Sequence, residues 1–294
     1  MDIIEQVVKG KRRVAEYTVA TLLAGGHILL EDVPGVGKTL LALTVAKVLN
    51  LSFKRFQFTS DTLPADLLGV FIYDPKKGDF VFKPGPIFTN ILLADEINRS
   101  SPKTQSALLE AMAEKQVTVE GETFKLPKPF FVIATQNPLE EWGTFPLPHS
   151  QLDRFMIKTS VGYPPKDVEL EILKGEDPFT KLERIPRLAS SEVILKEQKK
   201  VEEIEVPNKV AEFALNVVVQ TRKHPDVKLG VSTRGLLQWV QFAKALTRIR
   251  ELEFLPLEIL KECVVEALAH RLILKESSLK TPKEVVEEIV QSVG

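Results

Sequence analysis

Gly35, Gly37, Lys38 and Thr39 are the residues of this chain best suited to chemistry, and that chemistry is phosphate binding. They stand in Glu31-Asp32-Val33-Pro34-Gly35-Val36-Gly37-Lys38-Thr39, after the apolar run His27–Leu30 and before the amphipathic run Leu40–Leu49. Glycines let the backbone curl until several N–H groups face one anion, and a following helix adds its positive dipole end. The candidate cradle is therefore Gly35, Val36, Gly37, Lys38, Thr39 and Leu40. Lys38 would reach the outer phosphates, and the Thr39 hydroxyl would ligate Mg²⁺. Asp32 occupies the position where the usual pattern begins with glycine.

The chemistry that follows phosphate binding needs acids and cations, and the chain offers both. Ile91-Leu92-Leu93-Ala94 ends in Asp95-Glu96. Two acids closing a buried apolar run are costly unless something uses the charge. In a nucleotide site Asp95 would orient the Mg²⁺ shell, directly or through water, and Glu96 would polarise the attacking water. Phe130–Thr135 ends in Gln136-Asn137-Pro138, where the Asn137 amide would hold the water or a γ-phosphate oxygen. An Asn-Pro turn is the plainer alternative. Arg154, in Gln151-Leu152-Asp153-Arg154-Phe155, and Arg234, in Ser232-Thr233-Arg234-Gly235, are candidates to neutralise the transferred phosphoryl group. Surface ion pairing is the competing reading of each.

These residues need a scaffold of buried strands. Strands are expected at His27–Leu30, Phe53–Phe58, Ile91–Ala94, Phe130–Thr135 and Met156–Val161. Apolar runs without alternation imply burial on both faces, hence a parallel sheet in an α/β domain. Phe71–Phe82 and Val117–Leu126 read as hairpins, the second turning near Gly121. Near Tyr163-Pro164-Pro165 the character changes, with eleven of the fifteen glycines lying before that point. Beyond it, Val210–Thr221, Arg234–Ile249 and Leu257–Ile273 carry helical spacing, punctuated by Pro207, Pro225, Pro256 and Pro282. Lys196–Glu205 reads as a solvated helix face or loop.

Composition sets the outer bounds. The 294 residues suit two domains, and 44% apolar content is enough to give each a core. Lys and Arg total 39 against 40 Asp and Glu, so net charge gives no reason to expect nucleic acid or an anionic membrane as partner. Cys263 alone excludes an intrachain disulfide, suits a reducing cytosol and falls in an apolar helical pattern. The four histidines lack metal-ligand spacing. Met1-Asp2-Ile3-Ile4-Glu5 carries acids where a signal peptide would be basic, and no apolar run spans a bilayer, so a cytoplasmic protein is expected.

Taken together, the phosphate loop, Asp95-Glu96, Asn137, Arg154 and Arg234 resemble an AAA+ ATPase. More narrowly, the chain resembles the MoxR family through Leu23–Glu31, Phe56–Asp61 with Leu63-Pro64-Ala65-Asp66, and Ala94–Arg99. Ala134–Pro138, Leu147-Pro148 with Gln151–Phe155, and His270-Arg271 extend the likeness. The resemblance implies a P-loop AAA+ parallel-sheet domain over 1–163 followed by a small all-α lid over 164–294. It implies that Lys38 and Thr39 form Walker A, Asp95 and Glu96 Walker B, Asn137 sensor 1, Arg154 an arginine finger and Arg234 sensor 2. It further implies ATP with Mg²⁺, a homo-oligomeric ring (usually a hexamer), hairpins pointing to the ring pore, and chaperone-like work on a protein client with a von Willebrand A-domain partner. Gly10-Lys11 and His149 depart from common family residues, the former near the adenine. A nucleic-acid-acting AAA+ protein and a nucleotide-gated scaffold of negligible turnover are the alternative readings.

Overall fold

A computed structural model describes residues 1–139 and 143–293. In chain order the strands are β1 (Ile28–Glu31), β2 (Phe53–Gln57), β3 (Gly69–Asp74), β4 (Asp79–Pro84), β5 (Ile91–Asp95), β6 (Gln116–Val119), β7 (Glu122–Lys125), β8 (Phe131–Gln136), β9 (Ile157–Thr159), β10 (Val227–Leu229) and β11 (Ile273–Leu274). Five of them form one sheet in the order β2-β5-β8-β1-β9. β2 pairs with β5 in parallel, and β5 with β8. All five residues of β5 are buried, as are Phe131 to Thr135 of β8, which fits strands covered on both faces. Each of the five expected strands is present, within a few residues of the ends read from sequence.

The strand order has a direct consequence for the chemistry. β5, β8 and β1 are neighbours, so the acids after β5, Asn137 after β8 and the phosphate loop after β1 leave adjacent strands. Clefts at carboxyl strand ends are where open α/β sheets bind ligands.

By packing, the chain divides into two compact units. One comprises Met1–Ala15, Leu29–Leu147 and Ser160–Val193, and the other Glu16–Ile28, Pro148–Thr159 and Ile194–Gly294. Both expected hairpins belong to the first. β3 pairs antiparallel with β4, and β6 with β7. Between β6 and β7 stand Glu120 and Gly121, with φ of 50° and 87°. Positive φ at both loop residues is what a two-residue hairpin turn needs to follow the strand twist. The Phe82 and Phe124 rings stack across the hairpins with centroids 4.0 Å apart.

The second unit is mainly helical. Helix Asn208–Lys223 buries Val210, Phe213, Ala214, Val217 and Val218, the stripe its spacing announces. Helix Thr233–Ile249 buries Trp239, Phe242, Ala243 and Leu246, and the Ser232 side chain caps its start by accepting from the Gly235 N–H at 3.0 Å. Lys196–Glu205 falls largely in helix Ser191–Glu203, which buries only Ile194 and Val201. The single helix expected over Leu257–Ile273 is broken. Helices Leu257–Glu262 and Val264–Leu268 meet at buried Cys263, a 3₁₀ turn follows over Ala269–Arg271, and β11 pairs with β10. Apolar spacing persists through the break because both helices bury their faces. In the 3₁₀ turn His270 and Arg271 face inward, as described below. Among the described residues no helix is long and apolar enough to cross a membrane.

Candidate functional site

The phosphate loop has the conformation that its glycines permit. Gly35 and Gly37 have φ of 85° and 95°, where an L side chain is strained, although a Cβ at either would meet nothing within 4 Å. Backbone shape, and not space, requires glycine here. Helix Lys38–Val48 starts directly after Gly37, which supplies no side-chain cap. The first N–H groups of the helix are thus left for an external acceptor. The Lys38 ammonium donates to the carbonyls of Asp32 at 2.8 Å and Val33 at 3.1 Å, folded back along its own loop.

The acids at the end of β5 are held by neighbours that the sequence did not single out. Asp95 is buried and accepts from Arg55 Nη2 at 2.6 Å and Nε at 3.0 Å. The Thr135 hydroxyl donates to Asp95 Oδ1 at 2.6 Å and accepts from the Glu96 N–H at 2.9 Å, so one side chain on β8 fixes both acids. Glu96 is left-handed, with φ 57° and ψ 51°. A non-glycine residue pays for that shape, and such outliers concentrate at working sites. Its carboxylate accepts from Gln57 Nε2 at 2.7 Å and Arg99 Nη1 at 3.1 Å.

These groups share one cavity of about 400 Å³. Residues Gly35 to Leu40, Arg55, Asp95 and Glu96 are part of its lining. Val7, Val8, Pro164, Val168, Ile172 and Phe179 add apolar surface to the lining, with Lys9 and Lys11 also on the wall. A lining that combines anion-binding groups with apolar side chains suits a nucleotide better than inorganic phosphate alone. Burial lowers the Lys11 pKa, partly offset by the Asp32 charge. Lys11 donates to Gly162 O at 2.9 Å and also to Tyr163 O. Gly10 is required by packing as well as by its φ of 68°, since a Cβ there would lie 2.5 Å from Pro165.

The donor set also suits Mg²⁺. Among the described residues no three His, Cys, Asp or Glu side chains cluster as a metal cage. Mg²⁺ on a nucleotide does not need one, since phosphates and waters complete its shell. Thr39 and Asp95 both face the cavity. With Asp95 engaged by Arg55 and Thr135, contact through water is the natural mode for it.

The remaining candidates lie outside the set lining that cavity. Asn137 is buried just after β8, and its Oδ1 accepts from the Leu139 N–H at 3.1 Å. This is the Asn-Pro turn expected as the plainer reading, at a strand end beside the phosphate loop. Arg154 and Arg234 belong to the second unit. Arg154 is half-buried. The Arg234 side chain, near the start of helix Thr233–Ile249, is 59% exposed and lies 3.6 Å from Asp153 Oδ2.

Comparison with known proteins decides the family. A family model described as "ATPase family associated with various cellular activities (AAA)" matches residues 27–157, and one described as "AAA lid domain" matches 219–292. The uncharacterized protein YeaC of Bacillus subtilis is 44% identical over 99% of this chain and 92% of its own length. Chaperone MoxR1 of Mycobacterium tuberculosis is 37% identical over 99% of this chain and 80% of its own. The chain belongs to the MoxR family of AAA+ ATPases. A crystal structure from Cytophaga hutchinsonii, 37% identical, superposes with a TM-score of 0.92 over 100% of this chain and 92% of that one. The AAA+ domain with its lid is thus the fold of this MoxR protein.

The second unit of this MoxR chain contains a hub that sequence reasoning noticed only as a family likeness. Arg271 is 5% exposed. It donates to the carbonyls of Phe155 at 2.6 Å and Met156 at 3.1 Å, and to Asp153 Oδ1 at 2.9 Å. It also reaches Ala267 O and Gln238 Oε1. Burial pulls its pKa down to about 10 against the opposing pull of Asp153. His270 bonds Phe155 O through Nε2 at 3.1 Å, and burial followed by the Arg271 charge holds its pKa well below the usual histidine value. The segment bearing Arg154 and the helix bearing Arg234 are therefore organised by one guanidinium and by Asp153. An arginine two residues before the end of an apolar pattern was the available signal.

Proposed function

We propose that this MoxR-family chain hydrolyses ATP with Mg²⁺ at the cavity beside the phosphate loop. The observation that carries the reading is the joining of Gly35–Leu40, Asp95 and Glu96 in one cavity that apolar side chains also line. Backbone N–H groups of the loop and the Lys38 ammonium bind the β- and γ-phosphates. Thr39 and Asp95 would hold Mg²⁺, Asp95 directly or through water, and the ion would supply neutralisation of charge on the phosphate oxygens. Glu96, fixed by Gln57 and Arg99, takes the proton of the attacking water. Asn137 positions that water or a γ-phosphate oxygen. Arg234 acts as sensor 2 on nucleotide in its own subunit, and Arg154 acts as a finger on a neighbour's nucleotide.

A finger acting in trans makes the working form a ring, expected as a hexamer. The ring drives chaperone-like remodelling or maturation of a client protein with a von Willebrand A-domain partner. The relative named Chaperone MoxR1 supports that use. We expect Lys38→Ala to weaken nucleotide binding. Glu96→Gln should retain ATP while turnover falls by about a hundredfold or more. Titration with a fluorescent ATP analogue and phosphate release decide this; full turnover by Glu96→Gln would remove Glu96 from the base role.

A further inference from the structure

We propose that Asp32 is a positioning residue that relays occupancy of the phosphate loop to the chain segment Val161–Tyr163; this rests on the nucleotide-site reading above. Asp32 stands where the usual loop has glycine, yet its backbone is not left-handed, so the loop's shape makes no demand for glycine there. The side chain is put to use instead. Asp32 is 7% exposed, and its carboxylate accepts from the Val161 N–H at 2.5 Å and the Gly162 N–H at 3.0 Å.

The backbone of the same residue carries the other half of the relay. The Asp32 N–H donates to Gln136 O at 3.2 Å, at the end of β8 and one residue before Asn137. The Asp32 carbonyl accepts from Lys38 Nζ at 2.8 Å. Phosphate oxygens are charge-assisted acceptors and outcompete peptide carbonyls for an ammonium group. A bound triphosphate therefore draws Lys38 off the Asp32 carbonyl. Residue 32 then relaxes while its carboxylate remains clipped to Val161 and Gly162. Lys11 in turn donates to Gly162 O and Tyr163 O, and both Lys11 and Pro164 line the cavity. Asp32 thus joins the loop bearing Lys38 to the segment next to Pro164 on the cavity wall, and to the chain that follows Arg154 and β9.

Hydrogen exchange of the peptide spanning 160–163 in the full chain, with and without a non-hydrolysable ATP analogue, tests this directly. The wild-type amides of Val161 and Gly162 should change protection when the analogue binds. Asp32→Gly should bind the analogue within about threefold of wild type, exchange those amides about tenfold faster, and lose their response to nucleotide; its kcat should fall about tenfold with KM little changed. Asp32→Asn, which keeps one acceptor oxygen, should be intermediate. A merely structural clip would lower Tm but leave the nucleotide response intact in whatever fraction folds. If wild type binds the analogue and the 160–163 amides do not respond, or if Asp32→Gly responds like wild type, the relay is overturned and the site reading stands. If wild type binds no nucleotide, the site reading fails first and takes the relay with it. If neither variant folds, the wild-type comparison alone decides.

Discussion

Thr135 illustrates how little of a working site needs to be charged. Its hydroxyl donates to Asp95 and accepts from the Glu96 N–H, so it ties together the two acids proposed to orient Mg²⁺ and to polarise the attacking water. Thr135→Val keeps the shape and removes both bonds. Leaving a buried acceptor and donor unpaired costs on the order of 1–3 kcal/mol, and thermal unfolding should register it. Turnover should fall further than nucleotide affinity, because the bonds place Glu96 and not the loop. Equal losses in both would argue that Thr135 serves stability alone. In the sequence Thr135 is one β-branched residue at the end of an apolar run. Its role exists only because β8 lies beside β5.

At the level of elements, the 3₁₀ turn that ends the helical run at Ala269–Arg271 shows side-chain bonds accompanying a departure from helical pattern. Apolar spacing predicts one helix to Ile273, but the 3₁₀ turn Ala269–Arg271 instead faces His270 and Arg271 into the carbonyls of Phe155 and Met156. Burial keeps His270 neutral, with the Arg271 and Lys158 charges acting in the same direction. Its folded pKa lies below the unfolded value near 6.5, so the unfolded chain binds the extra proton first. The stabilisation is therefore complete above about pH 6.5 and declines as pH falls below it. Unfolding temperatures measured between pH 7.5 and 5.5 should drop, and His270→Gln should flatten that drop. An unchanged slope in the variant would assign the acid sensitivity to other groups. The hairpins were easier to read, because a Glu-Gly turn between β-rich flanks is a local signal.

For the whole molecule, the open question is how chains combine. If Arg154 serves a neighbour's nucleotide, Arg154→Ala should abolish turnover and leave binding nearly intact. Mixing it with Lys38→Ala chains should restore part of the activity through interfaces that pair an intact finger with an intact loop. Absence of any rescue would place Arg154 in a role within its own chain. Mass measurement of Glu96→Gln with and without ATP should report a ring that depends on nucleotide; a monomer under both conditions would count against assembly by this chain alone.

The sequence by itself determined the glycine-bearing loop after β1, the acids closing β5, the five strands of the sheet and the helical character of the later chain. Each depends on residue type and short-range spacing, which the sequence carries in full. Strand order, the pairing of Arg55 with Asp95, the partners of Asp32 and the hub around Arg271 were decided only by tertiary structure. Periodicity tells which side of an element is buried but not which element covers it. Asp32 meets Val161 across 129 residues of chain, a distance over which no local preference acts.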